Sequence, residues 1–308
     1  LHKEYRRQRQ MCIRDRQKTV FTYAKDRKFE TGLRKSGLYA DLGLAEATGG
    51  QFHGELIKIN PDYAATQEEK QTTGMHRHQY DFQFNYVLAG EIDLVIEEEE
   101  ETTFRAGDTY FIPSRALHDE TRVSKDFQVM QIYGPAKAQT VTVGQAVGGG
   151  EVSDDWSDKL SKMKEERLTG WNKQKPAFTF ANSREWGPGL RPWSLYVNLG
   201  LAEATGGQFH GELIKLNKDV ATPESSTGMH RHTYDFQFNY VLSGEIDFVL
   251  DGINDKPGDE KLVFSAGDTY FLGDKVLHNE TRVSEDYSTL QVYGPANAST
   301  EQLTPEKM

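Results

Sequence analysis

Along Phe82-Gln83-Phe84-Asn85-Tyr86-Val87-Leu88, large apolar side chains alternate with Gln83, Asn85 and Val87. A period of two is that of a strand with two different faces. Ala89-Gly90 reads as a turn, Glu91 to Ile96 as a further strand, and Ala106-Gly107-Asp108 as a second turn before Thr109 to Ile112. Short strands at this spacing, without long helical periodicity, predict an all-β antiparallel sandwich or barrel. One stretch differs. Trp156, Leu160 and Met163 fall at helical spacing and predict a short amphipathic helix packed on a barrel.

The pattern occurs twice. Gly43 to Lys58 and Gly200 to Lys215 are the same sixteen residues, GLAEATGGQFHGELIK. Around them, FTYAKDR from Phe21 matches FTFANSR from Phe178, and TGMHRHQYDFQFNYVLAGEID from Thr73 matches TGMHRHTYDFQFNYVLSGEID from Thr227. AGDTYF and ETRVS also recur. The chain is therefore an internal duplication. Between the copies, Gly148 to Gly150 and an acidic cluster read as a linker. The expected division is 17–136 for the first barrel, 137–177 for a linker with the short helix, 178–297 for the second barrel and 298–308 for a tail.

Composition narrows the function. With 308 residues the chain can bury two cores. There is no apolar run near the roughly 20 residues that span a bilayer, and no secretory pattern at the N-terminus, so a cytoplasmic protein with no membrane contact is expected. Residues 1–16 have no counterpart in the repeat, and Met11 to Arg16, MCIRDR, resembles the translation of a library-preparation adaptor. They are set apart from the fold, the alternative being a disordered basic arm. The segment carries six basic and two acidic side chains, so the remainder is more acidic than the net −11 of the whole. Such a surface argues against nucleic acid as a partner. The single cysteine, Cys12, also lies in that segment, which leaves no disulfide framework or thiolate metal site.

Eight of the nine histidines form four equivalent pairs: His53 with His210, His76 with His230, His78 with His232, and His118 with His278. His76 and His78 are two apart on a strand, so both rings face one side and can grip one ion. Gln83 lies on the face of its strand opposite Phe82 and Phe84 and so points inward, and His118 follows after a Gly-Asp turn and a further strand. The expected metal ligands are His76, His78, Gln83 and His118 in one half, and His230, His232, Gln237 and His278 in the other. The alternative is a set of hydrogen-bonded core histidines. His53 and His210 stand just before Glu55 and Glu212, which share their strand face. These two glutamates are candidate acid/base residues if that face is inward, and solvent-facing residues if it is not. Gln131, Tyr133, Gln291 and Tyr293 are expected at the mouth of each pocket.

At these residues the chain resembles the cupin superfamily. His76-x-His78, four residues, Gln83, six residues and Gly90 is similar to the first cupin motif. Gly107, five residues, Pro113, four residues and His118 is similar to the second, and the other half repeats both through His230, His232, Gln237, Gly244, Gly267 and His278. The resemblance implies a two-domain bicupin: two tandem jelly-roll barrels, each a double-stranded β-helix with an ion at its centre. Three departures stand out. Gln83 and Gln237 replace the usual glutamate, Arg115 and Lys275 stand where a glycine is usual, and Gly273 replaces the proline kept at Pro113.

Neutral ligands leave a divalent ion its full charge, so the expected substrate is a small anionic molecule with a second oxygen, such as an enolate or 2-oxo acid. Two ions per chain are expected, with Fe(II) favoured and Mn, Zn or Ni as alternatives. An Fe(II) site with open positions suits a non-haem dioxygenase, the first reading. A redox-neutral isomerase, lyase or hydrolase is the second, and a non-catalytic small-molecule binding protein the third. Assembly into a homo-oligomer is compatible with each.

Overall fold

The computed structural model describes residues 17–64, 73–97, 99–142, 162, 165, 173–222, 225–253 and 256–303. The adaptor-like segment and the expected linker helix around Trp156, Leu160 and Met163 lie outside the described residues. Each half closes a barrel from one seven-stranded and one five-stranded antiparallel sheet. In the first barrel the larger sheet runs through Thr109–Ile112, Phe82–Ala89, Gln128–Gly134, His53–Ile59 and Gly37–Asp41. The smaller one holds His76–His78, His118–Val123, Glu91–Ile96 and Thr102–Arg105. No helix among the described residues is long and apolar enough to cross a membrane.

The alternation along Phe82–Ala89 is the key to the packing. Phe82, Phe84 and Tyr86 do not fill their own barrel. They join Leu44, Leu56, Phe111 and Met130 in a cluster with Phe236, Phe238, Tyr240 and Leu290 of the other half. The two larger sheets thus stand back to back, and Phe52 reaches across to Phe236 at 4.4 Å while Phe82 meets Phe209 at 4.1 Å. Burying each such ring contributes roughly 1.5–3 kcal/mol. The opposite face of the same strand supplies Val87 to a separate core inside the barrel with Ile92, Leu94, Ile96 and Phe104. Its counterpart in the second barrel contains Val241, Ile246, Phe248, Leu250 and Phe264.

Two boundaries differ from the sequence reading. The strand Val20–Thr22 pairs with Thr269–Phe271 of the second barrel, and Ala177–Thr179 pairs with Thr109–Ile112 of the first. Each half therefore lends its leading strand to the other, where Phe21 lies 5.2 Å from Phe264 and Phe178 5.1 Å from Phe104. Self-similarity cannot reveal this exchange, because equivalent strands fit either copy equally well. At the other end, Thr140–Thr142 pairs with His76–His78 and Thr300–Gln302 with His230–His232. Both closing strands lie past the expected limits at 136 and 297.

Gly273 also acquires a reason: its N–H donates to the Thr19 hydroxyl of the exchanged arm at 3.3 Å, a bond that proline cannot make. At Gly90, with φ +66°, an added Cβ would stand 2.8 Å from the Phe127 Cα, so the turn admits little else.

Arg115 and Lys275, in place of the usual glycines, both hold φ +57°. Left-handed backbone costs a non-glycine residue about 1 kcal/mol, part of which returns as glycine's greater freedom in the unfolded chain. Arg115→Gly and Lys275→Gly are each expected to raise unfolding free energy by roughly 0.5 kcal/mol in urea titrations. A fall in stability would show that the long side chains hold the turn.

Candidate metal centres

The five-stranded sheet brings the histidines together. His76 and His118 are directly paired across neighbouring strands, and His78 lies on the same face two residues on. Ligand nitrogens of His76, His78 and His118 all fall within 4.8 Å of one another, and those of His230, His232 and His278 do the same. All six residues are buried.

Second partners orient the rings. In the first barrel the Nδ1–H groups of His76 and His118 donate to the carbonyls of Gly74 and Ala116 at 2.8 and 3.0 Å. His78 Nδ1 lies 2.8 Å from the Thr140 hydroxyl. In the second barrel Gly228, Val276 and Thr300 take the same roles at 2.8, 2.8 and 2.9 Å. A carbonyl can only accept, so the proton sits on Nδ1 and the Nε2 lone pair turns to the centre of the cluster. The Nε2 atoms of His118 and His278 are buried without a hydrogen-bond partner. Buried, deprotonated and convergent nitrogens fit a divalent ion. Burial, aided by repulsion between the rings, pushes His78 down to about 3 and His232 to about 2, and it lowers His118 and His278 as well.

Residues that the sequence reading left out complete the surroundings. Glu120 follows His118 by two positions and therefore shares its face, with a carboxylate oxygen 3.9 Å from His76 Nε2. Glu280 lies 3.8 Å from the Nε2 of both His230 and His278. Burial opposes ionisation of both carboxyls, but the adjacent histidines outweigh it, joined at Glu120 by Arg34; Glu120 is held down to about 2, and Glu280 is lowered too. The Arg34 guanidinium lies 3.3 Å from His76 Nε2 and 3.8 Å from Glu120. Arg191 is its repeat equivalent, and its Nη2 is buried without a hydrogen-bond partner. Two signals were present in the sequence: His-x-Glu-Thr-Arg and Gly-Leu-Arg occur in both halves.

Gln83 and Gln237 are buried on the facing sheet. They lie on the same side of their strands as Val87 and Val241, toward the barrel interior. His53 and Glu55 face inward too, because their strand gives Leu56 to the seam between barrels and Ile57 and Ile59 to the barrel core. His53 Nε2 is 3.3 Å from Glu55, a distance repeated between His210 and Glu212. Burial by itself would lower the His53 pKa, but Glu55 and then Asp41 hold it up. Tyr133 ties this pair to the histidines: it lies 5.1 Å from His53 and stacks at 4.1 Å on Tyr80, which stacks at 4.6 Å on His78. Tyr293 and Tyr234 repeat the path. Gln131 is buried on the same strand as Tyr133, opposite Glu55.

Two measurements check this description. Replacing His76 and His78 by alanine should halve the divalent metal bound per chain and leave the second centre loaded; complete loss, or none, would refute two independent centres. The second concerns acid. In the unfolded chain these histidines take up protons near 6.5, whereas His78 and His232 resist until about 3 and 2. The unfolded state then binds more protons, so metal-free stability is full above 6.5 and falls as pH drops below it. The lowered Glu120 and Glu280 extend the loss below 4.5. Urea midpoints of metal-free protein should already fall between pH 6.5 and 5, and a flat profile there would mean that the folded rings accept protons.

The cupin domain profile matches residues 65–132 and 219–289, one stretch in each half. No curated protein sequence matches the chain. Among solved structures, the chain is similar to the formate complex of Lactobacillus farciminis oxalate decarboxylase, with a TM-score of 0.59 and 11% identity over 92% of this chain and 88% of that one. It is also similar to Bacillus subtilis oxalate decarboxylase at pH 4.6, with a TM-score of 0.57 and 11% identity over 92% and 78%. A further structure of the Bacillus subtilis enzyme, described through its Mn(II) centres, has a TM-score of 0.55 and 11% identity over 92% and 79%. Motif spacing, barrel architecture and a cupin domain match all repeat in each half, so the chain has the fold of a tandem two-barrel bicupin.

Proposed function

We propose that this bicupin is a metal-dependent enzyme that acts on a small carboxylate by acid–base chemistry, in the manner of a lyase or isomerase. The observation that carries the reading is a guanidinium and a carboxylate beside each three-histidine cluster: Arg34 paired with Glu120 at the first, and Glu280 with the nearby Arg191 at the second. A buried guanidinium donor without a partner, such as Arg191 Nη2, is favourable only where an anion comes to meet it.

His76, His78 and His118 would hold one ion and His230, His232 and His278 the other, with Gln83 and Gln237 proposed as neutral oxygen donors from the facing sheet. The ion supplies Lewis acidity to a carboxylate or carbonyl oxygen. Arg34 binds the substrate carboxylate and sets its orientation. Glu55, facing the same interior, takes or returns a proton, with His53 3.3 Å away as its partner. The Tyr80 and Tyr133 hydroxyls, hydrogen-bonded to each other, border the space and exclude water from one side. With Glu120 in place the surroundings are no longer neutral, which removes the ground for preferring Fe(II). A nitrogen and carboxylate set suits Mn(II) equally well, the ion named for the Bacillus subtilis structure.

The dioxygenase reading keeps one observation in its favour, the three-histidine set with positions left for two further ligands. Protein loaded in turn with Mn(II) and Fe(II) separates the readings when offered oxalate, malonate and 2-oxo acids under air and under argon. Turnover is expected to survive argon, and obligatory oxygen uptake would overturn the acid–base reading. Glu55→Gln with Glu212→Gln should then lower turnover by roughly 10²-fold or more at unchanged metal content.

A further inference from the structure

Each anchoring arginine is carried on a segment that is fastened to the opposite barrel. After Val20–Thr22 has paired with the second barrel, the Ala24 N–H donates to Asp268 Oδ1 at 2.7 Å. Arg27 Nη2 donates to the Gly267 carbonyl at 2.8 Å. The other oxygen of Asp268 accepts the Ser265 N–H at 2.8 Å, so this buried carboxylate is rigid in the second barrel. The same segment then returns to the first barrel and reaches Arg34. The mirror arrangement holds the other arm: Asp108 accepts Ala181 N–H through Oδ1 and Arg105 N–H through Oδ2, both at 2.7 Å. That arm leads on to Arg191.

Between the fastening point and Arg34 the chain is held by Phe29, packed on the seam under Lys58, and by Glu30–Thr31, two exposed residues opposite Tyr39 and Leu38. A strand that short does not hold its own position. The segment also forms one wall of a 690 Å³ cavity whose other side carries Asp41, His53 and Glu55. Fastening in one barrel thus shapes the approach to the centre in the other.

We propose that Asp268 and Asp108 are positioning residues for anion recognition in the opposite barrel, acting through the exchanged arms on Arg34 and Arg191 respectively. The inference rests on the reading of those arginines as carboxylate anchors. Its signature is a crossed dependence, which a merely structural aspartate would not produce.

The test uses full-length protein with a single centre left, by His230→Ala with His232→Ala for the first centre or His76→Ala with His78→Ala for the second. Each is loaded with Co(II), whose visible absorption reports ligands at the metal, and titrated with oxalate as the probe. With only the first centre present, Asp268→Ala and separately Arg27→Ala should weaken oxalate binding about tenfold, the loss of one charge-assisted contact. Asp108→Ala should leave that binding within about twofold, as should every variant the Co(II) affinity itself. With only the second centre present the two aspartates exchange roles. Asp268→Asn, which keeps an oxygen for the Ala24 N–H, should restore most of the affinity. Arg27→Ala lies in the arm and leaves the second barrel's own turn intact, so it decides the matter if Asp268→Ala fails to fold. An effect of each aspartate on its own barrel, or on neither, overturns the inference. Arg34→Ala separates the two levels: unchanged oxalate binding would sink the anchor reading, whereas weakened binding with Asp268→Ala silent would sink the positioning role alone.

Discussion

The apolar seam between the two larger sheets is the constraint on which the rest depends. A sheet that covered its outer face with solvent would place polar groups there and keep its large side chains for the barrel interior. Here Phe82, Phe84, Phe236 and Phe238 are spent on the outside, against the other barrel. The interior of each strand is thereby released for Gln83, Asn85 and their equivalents, which are buried at 2–5% exposure. The polar pockets exist because the hydrophobic stabilisation is found elsewhere. Exchange of the leading strands adds to the same seam, since Val20 packs against it and Phe21 enters the opposite core.

Within each pocket, the chemistry follows from how the histidines are held. Backbone carbonyls and a threonine hydroxyl take the Nδ1 side, which leaves Nε2 as the only group turned to the centre. Burial keeps His78, His118, His232 and His278 neutral at ordinary pH, so for these rings the cost of clearing protons before a cation enters has been met by folding. The threonines responsible, Thr140 and Thr300, sit on the strands that close the smaller sheets, and this gives those short strands a role beyond pairing.

Glu120 and Arg34 change the electrostatic picture that three histidines and a glutamine would produce. A carboxylate beside the ion lowers its net charge, and a guanidinium on the same side restores attraction for an anion at a defined place. Opposite charges a few ångströms apart in a partly buried space suit the two tasks of the proposed reaction, holding a cation and recognising an acid. The inward Glu55 and its His53 partner, the proton-transfer group of the proposed reaction, stand at a different wall. That division fits acid–base chemistry on a carboxylate better than a uniformly neutral centre does.

The duplication, the all-β character and the six histidines that converge were legible in the chain, because strand periodicity and the His-x-His spacing are local and a repeat reports them twice. Glu120 was also within reach, two residues past His118 on one strand face. Other features were not local. Whether His53 and Glu55 face water or the pocket depends on which side of their strand meets the second barrel, and a strand of two unlike faces does not say which face is covered. The placement of Arg34 beside His76 joins residues 42 apart through a loop with no periodicity of its own. The exchange of Val20–Thr22 for Ala177–Thr179 lies further still from sequence reading. Two nearly identical strands fit two nearly identical sheet edges, and only the path of the connecting chain in three dimensions decides between them.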